Sequence, residues 1–161
     1  MNQLDKRVVF LLKFFAIFSV LHYLLLVVNL RPMQEFIAKS QAMLLNLTYD
    51  GTLVRIGSET FEITPSCTGL VSSIILAAIV FSLKKPGLKS KTATLAIGVI
   101  FLLAANYVRV YFVLLSAIAF GGRAAEAVHI ITWFLTAALV IVVWYYGTKR
   151  IAKVKEFNDF L

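Results

Sequence analysis

From Thr92 to Phe120 the chain reads "TATLAIGVIFLLAANYVRVYFVLLSAIAF", with Arg109 as its only charged side chain. A stretch this long and apolar constrains the fold more than any other feature, because about 20 apolar residues suffice to cross a hydrocarbon layer roughly 30 Å thick. Three further runs are of the same kind: Val8–Leu30, Thr68–Leu83 and Val128–Gly147. Hydrophobic residues make up 60% of the chain and the mean hydropathy is +0.87. A soluble domain of this size could not hide that much apolar surface, since soluble chains are about half apolar. The sequence therefore specifies an integral membrane protein. The predicted fold is all-α: an antiparallel bundle of about four transmembrane helices, forming a single membrane domain over residues 1–161.

The N-terminal "MNQLDKRVVFLLKFFAIFSVLHYLLLVVNL" has the charge pattern of a secretory leader. Its apolar stretch is too long, however, and no small-residue cleavage site precedes Arg31, so it reads as a retained first span. Residues 31–66 differ in kind. Pro32 suits a first helical turn. Met33, Phe36, Ile37 and Leu44 then recur at roughly helical spacing, which predicts a short amphipathic helix on the membrane surface. "LTYDGTLVRIGSETFEI" follows, with turn signals at Asp50-Gly51 and Gly57-Ser58. It predicts a small β meander with Val54, Ile56, Phe61 and Ile63 among its apolar positions.

The net charge of +8 does not point to nucleic acid, because the basic residues collect at the ends of the apolar runs. "KKPGLKSK" carries Lys84, Lys85, Lys89 and Lys91 without an acidic residue, and Lys149, Arg150, Lys153 and Lys155 follow the last run. The positive-inside rule then places both termini and the lysine loop in the cytoplasm of a multi-pass cell-membrane protein. Residues 31–66 and the short "GGRAAEAV" link are left on the outer side.

That orientation brings three chemically capable side chains to one side. Cys67, in "TPSCTGLVSS", is the only cysteine, which rules out an internal disulfide or a paired-cysteine redox centre. Placed at the start of the second span, its thiol would sit where helix N–H groups favour a thiolate, and Gly69 would allow close approach. A lone cysteine is as readily a buried apolar filler. Arg109 carries a charge that costs roughly 2.5–3.5 kcal/mol in mid-membrane, so it requires a partner or a task. It lies about 25 Å along its helix from Thr92, in the outer half of the bilayer, with Asn106 on the same face. His129 opens the last span and can exchange a proton near neutral pH. His22 and Arg123 read as structural, with Arg123 a secondary candidate for a substrate carboxylate.

A thiol, an imidazole and a guanidinium form a cysteine acyl-transfer set: nucleophile, proton carrier and oxyanion holder. The same residues also fit a non-catalytic four-span scaffold in which Arg109 holds the bundle together. A transporter would call for repeats or paired broken helices, neither of which is visible. One cysteine and two histidines show no metal-ligand spacing, and neither metal nor cofactor is expected.

"SCTGL" opening one span, "NYVRVYFVL" in the next and "VHIITWF" in the last resemble the exosortase/archaeosortase family of membrane transpeptidases, over about the last hundred residues. The resemblance implies Cys67 as nucleophile, with Arg109 and His129 completing the catalytic set, while Asn106 and Arg123 are expected as substrate contacts from their positions in the sequence. It also implies partners: exported proteins with a C-terminal signal made of a short motif, a transmembrane helix and a basic cluster. The new C-terminus would pass to a membrane lipid or another acceptor at the extracytoplasmic face.

Overall fold

A computed structural model describes residues 3–152, in the order α1 (Gln3–Val27), α2 (Arg31–Leu45), β1 (Thr48–Asp50), β2 (Leu53–Ile56), β3 (Glu59–Glu62), a 3-10 turn (Pro65–Thr68), α3 (Leu70–Ser82), α4 (Leu88–Phe120) and α5 (Gly122–Ala152). Lys153 and Lys155 lie outside the described residues. Among the described residues, three helices are long and apolar enough to cross a membrane: Asp5–Val27, Leu88–Phe120 and Gly122–Arg150. α3 has 13 residues, about 20 Å at 1.5 Å per residue, so the second predicted span is shorter than the other three. Large apolar side chains stand uncovered along these helices, such as Leu12 at 67%, Leu26 at 72% and Phe134 at 64% exposure. Such surface suits hydrocarbon and not water. This is a membrane protein.

The chain divides into two compact units. Unit 1 comprises residues 1–28, 71–102 and 138–161, and unit 2 comprises 29–70 and 103–137. The core of unit 1 is aliphatic: Leu76, Val80, Leu83, Leu102 and Val140 with Trp144. At Gly98 a Cβ would fall 2.5 Å from Leu76 Cδ2, so the Leu76 side chain of α3 packs onto the space that this glycine leaves on α4.

Unit 2 is built around α2 and the meander. β1, β2 and β3 form one antiparallel sheet in sequence order, with Asp50 opposite Leu53 and Ile56 opposite Glu59. Both turns fall where Asp50-Gly51 and Gly57-Ser58 predict them. Val54 and Ile63 are buried with Ile37, Ala38, Ala42, Val110 and Leu114, while Ile56 and Phe61 pack against this cluster. The apolar stripe expected of α2 splits in two. Ile37 and Met33 turn inward, whereas Phe36 and Leu44 are exposed. The inward face also carries two amides: Gln34 Nε2 donates to the Ile63 carbonyl at 2.7 Å, and Gln41 Nε2 to the Tyr107 carbonyl at 2.9 Å. Each buried amide thereby finds an acceptor for an N–H group.

Two boundaries differ from the sequence expectation. α4 and α5 are separated by Gly121 alone, at φ +82°, so the rest of the "GGRAAEAV" link forms about the first two turns of α5. His129 therefore stands seven residues into its helix and does not open it. The second difference lies at Cys67.

Candidate active site

Cys67 does not sit at the N-terminus of an α-helix. It is carried by a separate 3-10 turn, Pro65–Thr68, which ends at Gly69 with φ +81° before α3 starts at Leu70. The thiol is therefore not placed, as the sequence led one to expect, among the free N–H groups that begin α3. The turn is closed internally by Cys67 N–H donating to the Thr64 carbonyl at 2.9 Å and Thr68 Oγ1 donating to the Pro65 carbonyl at 2.7 Å. Thr64 Oγ1 lies 2.7 Å from Ser66 Oγ and 3.5 Å from Cys67 Sγ, so a hydroxyl attends the thiol.

α4 holds this turn from behind. Asn106, only 3% exposed, donates through Nδ2 to the Cys67 carbonyl at 2.5 Å. A Cβ at Gly69 would meet the Asn106 Cβ at 2.9 Å. Glycine at position 69 thus meets two demands, a left-handed backbone and room for Asn106. One turn further along α4, Arg109 points an NH2 group at the Ser66 carbonyl across 3.5 Å, a long contact. Its Nε is buried with no hydrogen-bond partner, although the residue is 6% exposed. A buried guanidinium N–H of this kind can donate to an anionic oxygen.

These residues open onto a cavity of about 410 Å³. The chain from Phe61 to Cys67 supplies one wall. α4 supplies Arg109, Val110, Val113 and Leu114, and α5 supplies Gly122, Ala125, Glu126 and His129. Both helical sets recur at three- and four-residue spacing, as one face of a helix requires. Cys67, Arg109 and His129 all line this one cavity.

The remaining sequence candidates are placed elsewhere. Asn106 lies behind the turn and does not line the cavity. Arg123 is exposed on the first turn of α5, also away from the lining. His22 belongs to unit 1, where its ring stacks on Phe18 at 5.4 Å and 8°. Glu62, Thr64 and Glu126 line the cavity and were not singled out in the sequence. Glu126 had a usable signal, since it stands three residues before His129 and shares its helical face once the helix is extended back to Gly122.

A family model described as transmembrane exosortase matches residues 3–146. The chain belongs to the transmembrane exosortase family. The match takes in α1 and the meander as well as the later segments that carried the resemblance, and it points to membrane transpeptidase chemistry. No curated protein and no solved structure matches the chain.

Proposed function

We infer that this exosortase is a membrane-embedded cysteine transpeptidase acting on the C-terminal sorting signals of exported proteins. The observation that carries the reading is one cavity lined by a thiol, a guanidinium and an imidazole drawn from three separate segments. His129 accepts the Cys67 proton as Sγ bonds to a peptide carbonyl carbon. The unused N–H of Arg109 stabilises the tetrahedral oxygen. The C–N bond then breaks, and His129 returns the proton to the leaving amine. An acceptor nucleophile, from a membrane lipid or another carrier, attacks the thioester and frees the thiol. Asn106 acts as a positioning residue, fixing the turn on which Cys67 rides. Phe61 and Ile63 bring apolar surface to the cavity wall and limit water there, which favours transfer over hydrolysis.

The charge pattern supports a multi-pass arrangement with both termini in the cytoplasm and the cavity towards the extracytoplasmic side. α3 then makes the fourth, short crossing, its mismatch eased by Lys84 and Lys85 reaching for the headgroups. A signal helix would lie against the bundle with its scissile bond beside Cys67. The test is co-expression with a protein bearing such a signal, read by its mass. The wild type shortens or modifies it, and Cys67→Ala leaves it unchanged while folding normally. Equal processing by Cys67→Ala sinks the reading and favours the scaffold.

A further inference from the structure

Unit 1 contains a recess of about 250 Å³, lined by Lys6, Val9, Phe10 and Lys13 of α1 and by Ser82, Leu83 and Lys84 around the end of α3. Among the described residues, three ammonium groups line it and no carboxylate does. Lys6 and Lys13 are seven residues apart, about 10.5 Å along one face of α1, with Val9 and Phe10 filling the face between them. Lys91 reinforces the charge: its Nζ donates to the Leu83 carbonyl at 2.5 Å, and it repels Lys13 electrostatically.

Lysines that only set membrane orientation need to be no more than near a helix end and well hydrated. Lys13 stands ten residues, about 15 Å, along α1 from Gln3 and inside its apolar span. Cations drawn together at that depth repel one another in a medium of low dielectric, and an anion between them reverses the sign of the interaction. Basic recesses between helices at the lysine-rich end of a membrane protein match phosphate headgroups in charge and depth.

We propose that this recess is a binding site for a phosphate group, held between Lys6, Lys13 and Lys84. Val9 and Phe10 offer apolar surface beside the phosphate, which suits a headgroup whose acyl chains continue into the bilayer. The same three charges exclude a cationic peptide, so the basic cluster of a sorting signal goes elsewhere. The site is independent of Cys67 and of the reaction proposed for it.

The test uses the full chain in neutral detergent, with binding read by native mass spectrometry. Phosphatidylglycerol, phosphatidylcholine and inorganic phosphate are supplied separately. The wild type retains phosphatidylglycerol over phosphatidylcholine. Lys13→Gln lowers that retention about fivefold and Lys13→Gln with Lys84→Gln about thirtyfold. The pair Lys13→Arg with Lys84→Arg retains it, as does Lys39→Gln on the exposed face of α2. Retention of phosphatidylglycerol alone identifies a lipid as the source. Retention of inorganic phosphate by the lipid-free protein, lost in the double Gln variant, identifies a soluble phosphate. The proposal is overturned if the wild type retains neither, if it retains phosphatidylcholine as well as phosphatidylglycerol and holds no inorganic phosphate, or if the folded double Gln variant retains as much as the wild type of whichever compound the wild type holds.

Discussion

The two units are held together by different kinds of interaction. Unit 1 is packed by aliphatic side chains around Leu76, Leu102 and Val140, all at or below 2% exposure. Such packing is strong but non-directional, and many arrangements of similar volume would satisfy it. Unit 2 buries smaller residues, Ala38 and Ala42, and adds three amides, each donating to one backbone carbonyl: Gln34 to Ile63, Gln41 to Tyr107 and Asn106 to Cys67. Hydrogen bonds fix angle as well as distance. The cavity lined by Cys67, Arg109 and His129 lies in the unit whose backbone is held that way, which suits the proposed role of aiming a thiol.

Substitutions in the two units should therefore separate stability from function. Leu76→Ala is the largest structural test. It should cost about 2–5 kcal/mol in a denaturant or SDS titration, while alkylation of Cys67 in the protein that remains folded keeps its wild-type rate. Arg109→Met should do the reverse, lowering processing about 10²–10³-fold with a folded yield at or above wild type, because it removes a buried charge that lacks a full set of partners. A fall in folded yield with no change in processing per folded molecule would assign Arg109 to the scaffold.

Gly69→Ala should cost about 1–3 kcal/mol and slow processing, since both the left-handed backbone and the Asn106 contact oppose a side chain there. Asn106→Ala leaves the Cys67 carbonyl without its donor, at about 1–3 kcal/mol. It should also change the rate of thiol alkylation, a readout that lost stability alone would not move. Because the chain has one cysteine, alkylation reports that thiol without ambiguity. Arg123→Ala is the smallest: exposed and off the cavity, it should alter neither measurement, and a raised KM for the signal would restore it as a substrate contact.

The helices and the meander were legible because period and turn chemistry are local properties. Asp50-Gly51, the alternation through Val54 and Ile56, and the charge-poor run around Arg109 each declare themselves in a few residues. The turn carrying Cys67 did not. Four residues of 3-10 helix have no periodic signature, and Gly69 before an apolar run reads as part of the following helix. The start of α5 was obscured by the charges of Arg123 and Glu126, although Arg, Ala and Glu are all good helix formers. The roles of Gln34 and Gln41 have no local signal, since their carbonyl partners lie 29 and 66 residues away. Placing Asn106 behind the thiol, and not in front of it, likewise needed the fold.

The central claim is that Cys67 becomes acylated during turnover. Peptide mass spectrometry of Cys67, taken while the wild-type protein processes a signal-bearing substrate, tests this most directly. The expected result is a hydroxylamine-labile adduct on Cys67 whose mass matches the shortened substrate, accumulating when the acceptor is withheld. Processing at the wild-type rate with Cys67 already fully alkylated would contradict it.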